Sequence, residues 1–271
     1  MDISVIIVNY NTKEATSECI ESCLDEGSGY KIEVIVVDNG SSDGSIEYLK
    51  RLYGDKGAKV IIKANKNNEG FSKGVNVGLG NSKGKYKYLL NSDTKVEKGV
   101  FKKLVAYASS HQDVGVLGTK LILPDGTVQK SCFNFPSVKN AFEEFWIGKE
   151  KKYSSFFSRE TAGVDAVVGA SFFITPGCFE KVGLFDERYF MYFEDLDYCR
   201  RVKKAGFNVV YFPEATVFHY HGLSGKDIVG GSNQWRRLFP SSKIFNGFLK
   251  HYLLNVVIWS GQKARSIMSK I

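Results

Sequence analysis

The feature that most constrains this chain is a rhythm of short, β-branched apolar runs separated by helix-length segments. Ile3 to Val8, Ile32 to Val37, Lys59 to Lys63, Tyr86 to Leu90 and Val114 to Leu121 are too short for helices. The first two are apolar enough to read as strands buried on both sides, and the other three as further strands. Thr12 can cap a helix running to about Asp25, which Gly27, Ser28 and Gly29 stop. A second helix ends near Tyr53, Gly70 to Leu79 reads as a short Gly-rich helix, and Val96 to Ser109 as another. Strands alternating with helices predict an α/β fold with a mainly parallel, doubly wound sheet. With 271 residues, 43% of them hydrophobic, the chain is long enough to bury the core of one large domain. Ligands of such sheets bind outside the carboxyl ends of the strands.

The second half is less regular. Leu123-Pro124-Asp125-Gly126-Thr127 reads as a hairpin turn, and Asn134 to Arg159 as a loop or lid. Val164 to Ile174 is a strand region, Phe193 to Ala205 a helix ended by Gly206, and Val209 to Phe212 a strand. These elements suggest one domain over residues 1–225, followed by a helical extension over residues 226–271. In that extension Phe245, Phe248, Leu249, Tyr252, Leu253, Val256 and Val257 fall at helical spacing. Such a stripe can close over the domain, lie on a membrane surface or pair with a second copy.

The charge sits in the same place. From Ser224 onward eight basic residues face one acid, Asp227, which is nearly all of the formal excess of +8. The basic residues flank an amphipathic helix rather than a nucleic-acid reading motif, so nucleic acid is not expected as a partner. Five scattered cysteines read as unpaired thiols in a reducing compartment. Met1 leads directly into a strand-like run with no signal-peptide pattern, and no apolar stretch is long enough to span a bilayer. The expectation is a cytoplasmic protein, peripheral at most on the inner membrane face.

Four polar clusters follow the first four strands: Asn9-Tyr10-Asn11, Asp38-Asn39-Gly40, Asn68-Glu69-Gly70-Phe71 and Asn91-Ser92-Asp93. Each alone serves a turn or a cap; four at one sheet edge describe a binding crevice. No G-x-G-x-x-G follows the first strand and no P-loop occurs anywhere. A nucleoside diphosphate would therefore need its charge offset by a divalent cation on a carboxylate, and Asp93 is the best-placed ligand.

Further on, Glu194, Asp195 and Asp197 cluster at a helix start, where acids complement the helix dipole. A carboxylate there, desolvated by its aromatic neighbours, could also serve as a general base. Asp197 reads as the structural partner of Arg200 or Arg201. His219 and His221 flank Tyr220 next to Gly222, a placement suited to metal or phosphate.

In order and spacing, these segments resemble family 2 glycosyltransferases, particularly the rhamnosyltransferase-like branch. The matching stretches are Ser4 to Asn11, Val36 to Gly44, Asn68 to Phe71 with Asn76 and Gly78, and Leu89 to Asp93. Gly169-Ala170 with Phe172, Gly183 to Asp197, and His219 with Gly222 and Ser224 complete the set. The resemblance implies a GT-A fold and an inverting transfer from a UDP-, dTDP- or GDP-sugar to a glycan or lipid-linked acceptor, as in cell-envelope polysaccharide synthesis. It implies that Asn9, Tyr10, Asn11, Asp38, Asn39, Gly70, Phe71, Asn91 and Ser92 line the nucleotide sugar, with Asp38 on the nucleobase side. Asp93 would hold Mn2+ or Mg2+, with His219 a late metal or phosphate contact and His221 the second choice. Asp195 would be the base, Glu194 its neighbour, and Gly169 and Ala170 would border the acceptor. The metal motif here begins with Asn91 where the family's usual form has Asp. A nucleotidyltransferase would carry a basic Gly-rich loop where Asn9-Tyr10-Asn11-Thr12 stands. A degenerate binding module would not be expected to keep Asp38, Asp93 and Asp195 together.

Overall fold

The computed structural model describes residues 1–26, 29–54, 59–220 and 231–268. The expected helix stop at Gly27-Ser28 and the readings of His221, Gly222, Ser224 and Asp227 lie outside the described residues. The chain opens with β1 (Ile3–Asn9), α1 (Lys13–Leu24), β2 (Ile32–Asp38), α2 (Ser45–Tyr53), β3 (Val60–Ala64), α3 (Phe71–Gly80) and β4 (Tyr86–Asn91). It continues through β5 (Thr94–Val96), α4 (Val100–Ser110), β6 (Val114–Ile122), β7 (Cys132–Phe133) and α5 (Val138–Phe142). Then follow β8 (Ala162–Gly163), β9 (Ala166–Val167), β10 (Ser171–Ile174), α6 (Pro176–Val182), α7 (Glu194–Lys204), β11 (Asn208–His219), α8 (Gly231–Asn246) and α9 (Phe248–Met268).

The main sheet runs β3-β2-β1-β4-β10-β6-β11-β5, with β8 added beside β11. Strands β3, β2, β1 and β4 are mutually parallel; β10 runs antiparallel between β4 and β6. Both faces of β1 are covered, which is why it reads as a nearly unbroken apolar run. Ile3, Val5 and Ile7 of β1 pack with Ile20 of α1 and Leu104 of α4 on one side. Ile6, between them, packs with Val75 and Leu79 of α3 on the other. Helix α3 lies so close to β1 that a Cβ on Gly78 would fall 2.4 Å from Cγ2 of Ile6, which accounts for the Gly-rich character of that helix. All five cysteines are buried and free, as expected.

Several sequence expectations are revised. Thr12 precedes α1, but its hydroxyl makes no cap bond to the helix; it turns to Asn9 and Ser92 instead. The expected helix from Val96 begins at Val100, because Thr94–Val96 pairs antiparallel with Val217–His219 as β5. The strand expected over Val164 to Ile174 breaks between Val167 and Ser171. The Asn134 to Arg159 segment is partly helical, with α5 continuing into a π-helical turn at Glu143–Ile147. The tail stripe is split at Gly247: Phe245 is buried at the end of α8, whereas most of the remaining apolar stripe of α9 faces outward.

Candidate active site

The parallel register aligns the polar ends of the strands. Asn9 pairs with Asp38 across β1 and β2, and Val8 with Asn91 across β1 and β4. Asn9 then binds the edge together: its Nδ2 donates to Oδ1 of Asp38 at 2.6 Å and to Oγ of Ser41 at 3.1 Å. Its Oδ1 accepts from the hydroxyls of Thr12 and Thr16 at 3.0 and 2.7 Å. The other Asp38 oxygen accepts the Ser41 amide at 3.0 Å. Asp38 has no exposed surface, so what it fixes is the loop at residues 39–44. Asn11, in a left-handed conformation with φ 55°, clasps the same loop through its amide to Ser41 and its Oδ1 to the Ser42 amide. Tyr10 lies half-buried between these two anchors.

The third cluster joins by a similar device. Nδ2 of Asn39 donates to Oδ1 of Asn68 and to the carbonyl of Gly70, at 3.1 and 3.0 Å. Its Oδ1 accepts from Nδ2 of Asn65 and the amide of Glu69. Gly70 itself has φ 92°, and a Cβ there would stand 2.5 Å from the Phe190 carbonyl oxygen, so glycine is required. The next amide, on Phe71, donates to that same carbonyl at 2.7 Å. Helix α3 is thereby tied to the segment leading into α7.

At the fourth edge Ser92 and Asp93 are buried, with Ser92 hydrogen-bonded to Thr12 at 2.9 Å. Oδ1 of Asp93 lies 3.3 Å from Nε2 of His219, the last residue of β11. Nδ2 of Asn91 is 3.4 Å from the same ring nitrogen. The other nitrogen, Nδ1, lies 2.7 Å from Oε1 of Gln129, which places the ring proton on Nδ1 and leaves Nε2 facing Asp93. Carboxylate and imidazole suit a hard-to-intermediate divalent cation such as Mn2+. Among the described residues no group of three His, Cys, Asp or Glu converges; a bound diphosphate or water can supply further oxygen ligands to such an ion.

The acidic pair completes the site. Asp195 stands at the start of α7, where its Oδ2 accepts the Gly169 amide at 3.1 Å and its Oδ1 the Leu196 amide at 2.8 Å. Gly169 lies in the break before β10, and the neighbouring Ala170 carbonyl accepts the Asn91 amide at 3.1 Å. Asp195 and the Asn91-Ser92-Asp93 edge are therefore adjacent. Burial pushes the Asp195 carboxyl up; backbone N–H bonds, led by those from Leu196 and Gly169, favour its anion and limit the rise. Glu194 is pushed further, first by burial and then by the Asp195 charge, and among the described residues its Oε2 has no hydrogen-bond partner. Of the two, Asp195 is the better anion and Glu194 keeps its proton longer. Asp197 is spoken for by Arg200 at 2.7 Å and Arg201 at 3.0 Å, as the sequence suggested.

The sequence reading missed what holds this pair in place. Tyr192 and Phe193 both adopt positive φ, 70° and 67°, immediately before Glu194. Non-glycine residues in that region persist only where the surroundings over-determine them. Asn76 anchors the loop upstream, bonding both amide and carbonyl of Phe185 at 2.9 Å and Oε1 of Glu187 at 3.0 Å. From the other side Ser241 of α8 donates to the Met191 carbonyl at 2.8 Å, and Arg237 stacks over Phe190. Arg200 of α7 donates to the Phe245 carbonyl and covers its ring at 4.0 Å. Asn76 lay in the family-like stretch without a role; Gln129, Ser241 and the strained pair carried no sequence signal.

Comparison with known proteins agrees with this geometry. The family model for Glycosyl transferase family 2 matches residues 4–155, which include the first four edge clusters. The chain belongs to glycosyl transferase family 2. This family 2 glycosyltransferase is 29% identical over 216 residues to the N-acetylglucosaminyl-diphospho-decaprenol L-rhamnosyltransferase of Mycobacterium tuberculosis, covering 72% of this chain and 69% of that one. It is 25% identical to the low-salt glycan biosynthesis hexosyltransferase Agl10 of Haloferax volcanii, over 77% of this chain and 64% of the relative. Among solved structures, GalNAc-T7 with UDP, GalNAc and Mn2+ superposes with a TM-score of 0.66 at 16% identity, covering 81% of this chain and 43% of that one. S. aureus TarS 1-349 in complex with UDP superposes at 0.60 and 17% identity, over 95% of this chain and 70% of the other. These likenesses bear out the GT-A fold expected from the sequence. Among the described residues no helix is long and apolar enough to cross a membrane.

Proposed function

We propose that this glycosyltransferase moves a sugar from a nucleoside-diphosphate donor to a hydroxyl of a lipid-linked glycan, with inversion at the anomeric carbon. The observation that carries the reading is the Asp195 carboxylate, buried and held by the Gly169 amide beside the Asn91-Ser92-Asp93 edge. The acceptor class follows the diphospho-decaprenol named for the M. tuberculosis relative, and the diphosphate donor follows the UDP bound by both structural neighbours.

Each residue then has a task. Asp38, Asn39, Asn9 and Asn11 hold the loop that meets the nucleobase, with Tyr10, Gly70 and Phe71 along the nucleotide and Asn91 and Ser92 near the diphosphate. Asp93 and His219 would hold a divalent cation. Such an ion, when bound, offsets charge on the leaving diphosphate. Gly169 and Ala170 border the acceptor. Asp195 takes the acceptor hydroxyl proton while that oxygen forms its bond to the anomeric carbon. The bond from that carbon to the diphosphate oxygen breaks on the opposite face, and its electron pair leaves with the nucleotide. Glu194, protonated beside it, spares the site a second negative charge.

The test is nucleotide release from UDP-, dTDP- and GDP-sugars with a polyprenyl-diphosphate glycan acceptor, with Mn2+ or Mg2+ and with EDTA. Acceptor-stimulated, metal-dependent release from one donor class, with an inverted linkage, is expected. Nucleotide binding with no transfer to any lipid-linked acceptor would overturn the acceptor class, and a retained anomeric configuration the mechanism.

A further inference from the structure

The outer face of α9 is apolar and uncovered. Leu249, Leu253, Val256 and Trp259 are spaced to share one side of the helix, and they leave 83, 51, 61 and 63% of their surface exposed. An amphipathic helix on a globular domain normally turns that stripe inward.

A second element extends the face. Trp146 and Ile147, in the π-helical turn, are about half exposed. The turn is fastened to α9 in three ways. Nε1 of Trp146 donates to the Val257 carbonyl at 3.2 Å, and the Arg265 guanidinium donates to the Glu144 carbonyl. Gly261 packs so tightly that a Cβ on it would lie 2.8 Å from Cβ of Phe145. Glu144, in turn, gathers the amides of Lys152, Tyr153 and Ser154, which pins the following loop to the same arm. The segment expected as a loop or lid is thus one wall of a composite surface.

The charge around this surface has one sign on the helical side. Helices α8 and α9 carry Arg236, Arg237, Lys243, Lys250, Lys263 and Arg265 and no acid. Two of the ammonium groups sit at aromatic rings: Lys263 is 5.0 Å from the Trp259 centroid and Lys243 is 5.1 Å from that of Tyr252. Tryptophans and aliphatics on one face with lysines along its margin match an anionic lipid interface, where the rings sit at headgroup level and the cations meet phosphates. A helix of this hydropathy does not cross a bilayer, so the face lies in the plane of the membrane surface.

We propose that the composite face of α9 and the Trp146 turn docks this protein on an anionic phospholipid surface, with Trp146 and Trp259 inserted at the headgroup boundary. The proposal concerns the lipid alone and does not rest on the donor or acceptor reading. It is tested with the full chain and vesicles that contain no glycan, either phosphatidylcholine or an equimolar mixture of phosphatidylcholine and phosphatidylglycerol. Co-sedimentation with the mixed vesicles is expected to exceed that with phosphatidylcholine by roughly tenfold or more, and to weaken as salt rises. The doubly substituted L249D/V256D chain, altered only at exposed positions, should lose most of that binding. Brominated lipid should quench wild-type tryptophan emission, and W146F/W259F should lose the quenching due to those two rings while still sedimenting. The proposal is overturned if the wild type stays in the supernatant with both vesicles, or if L249D/V256D binds as wild type. Self-association through this face without partition into vesicles would overturn it in favour of a second copy.

Discussion

The carboxylate of Asp195 is joined to the backbone of Gly169 across 26 residues of chain, its Oδ2 accepting the Gly169 amide at 3.1 Å. This bond brings the start of α7 to the break before β10, whose next residue is bonded to Asn91. The proposed base is placed against the Asn91-Ser92-Asp93 edge by backbone amides rather than by side chains that could swing away. Asp195→Asn keeps the size of the side chain but cannot take a proton. Transfer is expected to fall by about 10²–10⁴-fold, with donor binding nearly unchanged. Near-wild-type transfer by the folded variant would remove Asp195 from the role of base.

The pH profile should show an acid limb above the ordinary carboxylate range, because burial raises the Asp195 carboxyl and the rate needs its anion. Burial leads the rise at both carboxyls. Glu194→Gln leaves that burial in place, so the limb should stay above the ordinary carboxylate range. A limb that dropped into the ordinary range would make Glu194 the cause.

Gly70 and Asn76 clasp helix α3 to the 185–190 segment that leads to the proposed base. A Cβ at Gly70 would meet the Phe190 carbonyl at 2.5 Å with φ at 92°, so Gly70→Ala should cost about 2–3 kcal/mol in thermal unfolding. Asn76→Ala removes the bonds to Phe185 and Glu187 and should cost about 1–3 kcal/mol. Because both act on the strained Tyr192-Phe193 entry to α7, kcat should fall more than donor affinity does. A change confined to donor KM would show that the clasp serves only the nucleotide.

Gln129 orients His219. Its Oε1 at 2.7 Å from Nδ1 leaves Nε2 directed at Asp93. Gln129→Leu should weaken binding of Mn2+ by roughly 10–100-fold, read by titrating the ion against nucleotide-bound enzyme. Unchanged affinity would mean that His219 is not a ligand.

The parallel half of the sheet and its edge clusters were legible because each depends on residues near one another in sequence. An apolar run ends in Asn9, Asp38 or Asn91, and a loop begins. The supports of the site were not legible, because they are distant pairings: Gln129 with His219, Asn76 with Phe185, Ser241 with Met191. Val96 was read as the start of a helix because the strand partner of Thr94–Val96, Val217–His219, lies far along the chain. The tail stripe was visible as a period, but period alone does not say whether a face is turned in or out. Packing decided it, with Phe245 drawn under Arg200 and Leu249 left outside.

The acidic pair should also leave a mark on stability. In the unfolded chain Glu and Asp carboxyls titrate near pH 4, whereas burial raises both Glu194 and Asp195 in the folded protein. The folded state therefore holds these protons more tightly than the unfolded one. Their contribution to stability is fully present below the unfolded pKa and is lost as pH rises through the folded values. Glu194→Gln removes the larger of the two rises. The difference in unfolding free energy, wild type minus Glu194→Gln, should fall by more than about 1 kcal/mol between pH 4 and pH 8. Denaturant unfolding of both chains across that range measures it directly. A flat or rising difference would mean that Glu194 ionises in the folded protein as readily as in water, and the division of labour with Asp195 would fail.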